Sequence, residues 1–198
     1  MKNDLKYVIF KTNWGFFGLL ANKNGILRTI LPTNTFKTTR RYLLVGISGI
    51  STEDKGLCPE LQKSIKAYYN GSYTNFKKAK FALNWEKLTD FSKKVFNACR
   101  QIMPGEKITY ALLAKKAGFP KAARAVGSAL AKNPLPLLVP CHRVIRSDGK
   151  IGNFSAAGGS KTKKKMLEYE NLIAIPMRRD FRCASAKSRR HKVIGVKK

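Results

Sequence analysis

The chain has 198 residues, room for one domain or two small ones, and is 43% hydrophobic and 10% aromatic. That is enough apolar material for a packed core, which excludes a disordered tail or a mucin-like stalk. Against 11 Asp+Glu stand 40 Lys+Arg, a formal net charge of +29. A charge of this size speaks of partners rather than fold and points to a polyanion, nucleic acid first and an anionic membrane surface second.

The N-terminal part reads as strands. Leu5–Lys11 is apolar with some alternation, Trp14–Ala21 is an aromatic-rich run, and Asn22-Lys23-Asn24-Gly25 is a hairpin signal before Ile26–Leu31. Arg41–Ile47 predicts one more strand. Glu60–Tyr69 switches to helical period, with Leu61, Ile65, Tyr68 and Tyr69 on one face and Asn70-Gly71 as the stop. Residues 1–88 therefore read as a small α+β domain whose aromatics belong to its core.

Thr89-Asp90 caps a helix through Phe91, Val95, Cys99 and Ile102, ended by Pro104-Gly105. Cys99 lies on that apolar stripe and reads as buried filler. Thr109 caps a short helix with Leu112, Leu113 and Ala114, stopped at Gly118. Pro120 opens the next, with Ala122, Val126, Ala129 and Leu130 inward and Asn133-Pro134 at its end. Two short helices across a glycine turn form a helix-turn-helix candidate, although such hairpins also occur in domains that never touch DNA. Lys107–Ser147 holds no acidic residue, so this folded surface is positive. The second helix is nearly all small residues around Arg124. That suits a backbone approaching a narrow groove, with Arg124 reaching inside, and equally a helix packed tightly on its neighbour with Arg124 solvated. Lys163–Glu170 reads as a further helix, and residues 176–198 as a mobile basic tail.

Four cysteines stand far apart with no paired spacing, which fits free thiols in a reducing compartment. No apolar run approaches a bilayer span, and the N-terminus shows no signal-peptide pattern, so a soluble, intracellular protein is expected. The chemistry concentrates at Cys141-His142-Arg143, just after Pro140. Imidazole and positive charge beside a thiol favour the nucleophilic thiolate, and a histidine base needs an acid to orient it, for which Glu168 and Glu170 are candidates. With His142 and His191 the only histidines and no Cys-x-x-Cys, a structural zinc site is disfavoured. Taken as bare residues, a buried structural cysteine is the default reading.

Pro140-Cys-His-Arg-Val-Ile145 resembles the active-site motif of the O6-alkylguanine-DNA alkyltransferases, the methylated-DNA–protein-cysteine methyltransferases. The likeness extends over Ile108–Ala114, Ala122–Ala129, Asn133–Val139, Ser147–Ser155, Gly158-Gly159 and Lys163–Glu170. It implies an α+β fold: a small N-terminal α/β domain (residues 1–88), then a mainly helical domain with the helix-turn-helix and active site (89–175), then the basic tail (176–198). It implies single-turnover repair, in which Cys141 takes the alkyl group from guanine O6 and stays alkylated. By the same resemblance His142 is the base through a bridging water, Glu170 orients it, Asn133 hinges the helix-turn-helix to the active site, and Tyr110 pushes on the target phosphate. Arg124 enters the base stack, on a minor-groove face of Lys121, Ala123, Ala125 and Gly127 with Arg143. Phe154, Ser155 and Val144 line the substrate pocket. Partner, compartment and state follow: double-stranded DNA carrying O6-alkylguanine, no membrane, a monomer, cytoplasmic or, in a eukaryote, nuclear. No cofactor is implied, and without cysteine before Cys58 or histidine before His142 no metal site. Two departures stand out. Phe154 replaces a frequent tyrosine and cannot donate a hydrogen bond to the leaving guanine. The Ser155–Lys161 loop is about two residues longer than in some relatives, which makes Glu170 over Glu168 a choice of register. The thiol is expected to ionise below a free thiol's pKa. The alternative reading is a damage-binding relative that does no chemistry.

Overall fold

The computed structural model describes residues 5–77 and 81–189, with only the backbone course from residue 175 onward. Strands β1 (Leu5–Thr12), β2 (Gly15–Asn22) and β3 (Gly25–Thr33) pair antiparallel in sequence. The β2–β3 hairpin closes at Asn22 opposite Gly25, whose φ of +127° requires glycine. A Cβ there would also lie 2.7 Å from the Ala82 carbonyl oxygen.

The strand expected over Arg41–Ile47 is instead the end of a helix, α1 (Phe36–Leu44). The Thr35 side chain accepts from the Thr38 amide and caps the start, while Thr39 and Leu43, four apart, turn inward. Arg28 Nη1 donates to the carbonyls of Leu43 (2.9 Å) and Val45 (2.7 Å), placing a cation where the helix ends. The fourth strand is β4 (Ser51–Glu53), parallel to β1, so the sheet order is β3-β2-β1-β4. Helix α2 (Pro59–Tyr69) begins with proline, where the missing N–H costs nothing, and buries Leu61, Ile65, Tyr68 and Tyr69.

The second half is mainly helical. Thr89 caps α3 (Asp90–Cys99), and Thr109 caps α4 (Tyr110–Lys116) by accepting from the Leu112 amide. Helix α5 starts at Ala123 and runs to Ala131, three residues later than Pro120 suggested, because Lys121 adopts a left-handed φ of +74°. A single 3-10 turn (Cys141–Arg143) leads into β6 (Val144–Ile145), which pairs parallel with β5 (Ile108–Thr109). Helix α6 spans Gly159–Arg189; of the expected basic tail, residues 190–198 lie outside the described residues.

One apolar core runs through both halves, from Val8, Phe17 and Leu19 of the sheet through Tyr68 and Tyr69 to Val95, Leu113, Val126 and Met166. Polar bonds fix the seam. The Thr29 amide donates to the Pro134 carbonyl (2.9 Å) and its hydroxyl to that of Pro136 (2.8 Å), so β3 holds the segment before Cys141 in place. No helix among the described residues is long and apolar enough to cross a membrane.

Candidate active site

Cys141 sits where three elements converge. The Asn133–Val139 segment brings it off the end of α5, the 3-10 turn carries it, and the β5–β6 pairing ties that turn to the first residue of α4. Only 6% of Cys141 is exposed, at the wall of a cavity of about 920 Å³. Asn133 fixes the thiol: its amide donates to Sγ (3.2 Å) and to the Val139 carbonyl (2.9 Å), while its oxygen accepts from the Leu135 amide (3.0 Å). Burial pushes the Cys141 thiol pKa up, and the Asn133 hydrogen bond and the Lys163 charge pull it back only in part. This corrects the expectation of a thiol more acidic than usual. The Arg143 charge invoked for that effect points elsewhere, and desolvation prevails.

Behind the thiol lies a buried polar cluster centred on Glu170, which is fully buried on α6. Its Oε1 lies 2.9 Å from His142 Nε2 and accepts from Arg143 Nη2 (2.7 Å) and the Tyr68 hydroxyl (3.0 Å). Its Oε2 accepts from Arg143 Nε (2.8 Å) and the Gly105 amide (3.4 Å). Burial alone would raise the Glu170 pKa; His142 and Arg143 overcome it and hold the carboxyl well below the usual range. Burial likewise lowers the His142 pKa, and Glu170 restores it only in part, which favours the neutral imidazole. An ionised carboxylate can only accept, so Nε2 carries the ring proton and Nδ1 keeps its lone pair. That Nδ1 is buried without a hydrogen-bond partner among the described residues.

Glu170 and not Glu168 meets His142. Glu168 is exposed and stands 3.9 Å from Lys164, one turn back on α6. Arg143, expected on the DNA face, is 4% exposed and committed to Glu170 and the Ile102 carbonyl, so it belongs to the interior. Val144, expected in the pocket, is fully buried in β6 and absent from the cavity lining; its carbonyl accepts from Lys163 Nζ (2.6 Å).

The cavity wall holds the remaining expected residues. Tyr110, Phe154 and Ser155 line it beside Cys141, and so do Ala123, Arg124 and Gly127 of α5. Arg124, Ala125 and Lys121 are exposed, Ala123 and Gly127 half-buried. A second cavity of about 500 Å³ meets the first at Ala131, Cys141, Phe154 and Ser155 and extends to Ile30, Tyr42 and Val45 of the N-terminal half. Two residues escaped the sequence reading. Lys163 is 1% exposed, and its Nζ also donates to the Tyr110 hydroxyl (3.4 Å). Tyr68 reaches Glu170 from α2 across the seam. Both look like ordinary helix positions in sequence; an inward-facing lysine on the α6 register was the available signal for the first. Among the described residues, no group of three or more His, Cys, Asp or Glu stands together to hold a metal ion.

Known proteins are similar to this chain in sequence and in fold. The profile of the "6-O-methylguanine DNA methyltransferase, DNA binding domain" matches residues 90–172. The methylated-DNA–protein-cysteine methyltransferase of Rattus norvegicus is 57% identical over 68 residues, covering 34% of this chain and 32% of that protein, so the match spans about a third of that relative. That of Methanosarcina acetivorans is 34% identical over 164 residues, covering 83% of this chain and 97% of the relative. The crystal structure of Mycobacterium tuberculosis OGT in complex with DNA superposes with a TM-score of 0.67 at 29% identity, covering 85% of this chain and 94% of that one. With a relative above 30% identity covered almost end to end, and with the same fold in a solved structure, the chain belongs to the methylated-DNA–protein-cysteine methyltransferase family.

Proposed function

We propose that this chain repairs DNA by direct reversal, moving an alkyl group from guanine O6 to Cys141 Sγ once per protein molecule. The observation that carries this reading is a buried thiol opening onto a cavity that Arg124 of α5 also lines, with a carboxylate-bound imidazole next in the chain. The S–C bond forms as the C–O6 bond breaks. The thiol proton goes to the free lone pair of His142 Nδ1, through one water, and the imidazolium is stabilised by Glu170. The released guanine takes up one proton and His142 returns one to solvent, which closes the count. Raising the thiol pKa by burial keeps Cys141 protonated at rest, so ionisation is coupled to a substrate that fills the cavity.

Leaving-group charge falls near Tyr110 and Lys163. Lys163 donates to the Tyr110 oxygen, which frees the phenolic proton for the cavity, and this offsets the missing hydroxyl at Phe154. The place of Tyr110 in the cavity wall favours this role over pushing on a phosphate. Duplex DNA is the partner. The small residues of α5 let its backbone come close to the groove, and Arg124 fills the space left by an extruded base, against an unstacking cost of about a few kcal/mol. The protein acts as a monomer in the cytoplasm, or the nucleus of a eukaryote, where thiols stay reduced. A damage-binding protein without chemistry would not need Cys141 and its base. Incubation with a duplex carrying O6-methylguanine is expected to regenerate one guanine per protein, whereas Cys141→Ser binds the duplex and regenerates none. Equal guanine recovery by both proteins would overturn the reading.

A further inference from the structure

Tyr68 is the one side chain from the N-terminal half that touches the His142–Glu170–Arg143 cluster in its described bonds, and it arrives 102 residues away in sequence. Its hydroxyl donates to Glu170 Oε1, the same oxygen that faces His142 Nε2. The residue is fully buried and its backbone is pinned from the other side of the seam. The Tyr169 hydroxyl donates to the Tyr68 carbonyl (2.6 Å) and accepts from the Gly71 amide (2.6 Å), while Trp14 packs edge-on to Tyr169 (4.9 Å between centroids). A phenylalanine would fill nearly the same volume. Tyr69 next to it shows how little the core needs a hydroxyl here, for its own is buried with no hydrogen-bond partner among the described residues.

Building on the alkyl-transfer reading above, we infer that Tyr68 is a positioning residue through which the N-terminal half sets the basicity and orientation of His142. A carboxylate oxygen offers about two lone pairs, and Oε1 faces three donors. The phenol therefore competes with His142 Nε2–H for the charge on that oxygen. Each share of that charge taken by Tyr68 is withheld from the imidazolium that forms when His142 takes up a proton. The charged and titratable groups around His142 are Glu170 and Lys163 from α6, Arg143 and Cys141 from its own turn, and Tyr68 from α2. Of these, only Tyr68 hydrogen-bonds the pair without carrying charge; the Tyr69 hydroxyl lies within electrostatic reach of Glu170 but makes no bond to it among the described residues.

The test titrates His142 by NMR in the full chain without DNA. His142 and His191 are the only histidines, and His191→Gln assigns the second signal. Tyr68→Phe is expected to shift the His142 midpoint to higher pH, and the acid limb of the single-turnover transfer rate to move with it. A fluorinated tyrosine at position 68, a stronger donor in the same space, is expected to shift the midpoint lower. Tyr69→Phe is expected to leave it in place. A folded Tyr68→Phe protein with an unmoved midpoint, or an equal shift in Tyr69→Phe, would overturn the inference. Should Tyr68→Phe fail to fold, the fluorinated residue decides: a lower midpoint supports the inference and an unchanged one overturns it. Because the titration uses no DNA, a wild-type protein that transfers no methyl group would refute the repair reading separately.

Discussion

Replacing Glu170 by glutamine tests the buried cluster most severely. The carboxylate takes three donors on Oε1 and two on Oε2. An amide has one oxygen, so whichever way it turns, its NH2 faces at least two donors; the lesser loss puts it against Arg143 Nε and the Gly105 amide. Arg143, 4% exposed, is then left without its counter-charge. Breaking a buried ion pair from one side costs about 3–5 kcal/mol, a large part of the roughly 5–15 kcal/mol that holds a domain together. Urea unfolding at pH 7, followed by the fluorescence of Trp14 and Trp85, is expected to show that loss at an unchanged m value. Arg143→Met in the Glu170→Gln background should recover part of it, because the orphaned charge is gone. The pH dependence has a definite sign. The Glu170 pKa is depressed in the folded state, so its contribution is complete above the unfolded value of about 4.3 and is lost progressively as pH falls below it. Glu170→Gln should flatten that acid limb. A loss under about 1 kcal/mol, or an unchanged acid limb, would refute the placement of Glu170 as an ionised, Arg143-paired carboxylate.

Other perturbations separate stability from function. Gly127→Ala should raise stability by about 0.5–1 kcal/mol, as for a helical glycine, since the new Cβ meets only the Tyr110 ring at 3.8 Å; DNA affinity should fall if this face enters the groove, and unchanged affinity would place the groove contact elsewhere. Lys163→Met removes the nearby charge that lowers the Cys141 pKa, so alkylation by iodoacetamide near pH 8 should slow by about threefold or more and recover at higher pH. A rate equal to wild type would show that Lys163 does not act on the thiol. Arg124→Ala should slow repair of duplex DNA by about tenfold more than reaction with free O6-benzylguanine, since a free base needs no extrusion; equal losses would make Arg124 a residue of the fold.

Local chemistry made much of this readable beforehand. The threonine caps of α3 and α4, the Asn22–Gly25 turn and the apolar stripe through Val95 and Cys99 each rest on contacts a few residues apart. Arg41–Ile47 misled because its apolar residues suit a strand, whereas the helix is set upstream at Thr35 and its last carbonyls are taken up by Arg28 of β3. The site divided along the same line. The Cys-His pair and Glu170 could be placed by motif and register. The direction of Arg143, the burial of Val144 and the raised thiol pKa depend on what packs behind the turn, and Tyr68 depends on a contact across the seam between the halves. Nothing in the spacing of the segments encodes those.

In the repair proposed above, Cys141 accepts the alkyl group and keeps it. Intact mass of the protein after incubation with an excess of duplex carrying O6-methylguanine, followed by peptide mapping, tests it most directly. A gain of one methyl group per chain is expected, confined to the peptide containing Cys141, with no second addition on prolonged incubation. Methyl on Cys58, Cys99 or Cys183 instead, or repeated turnover with no mass change, would contradict it.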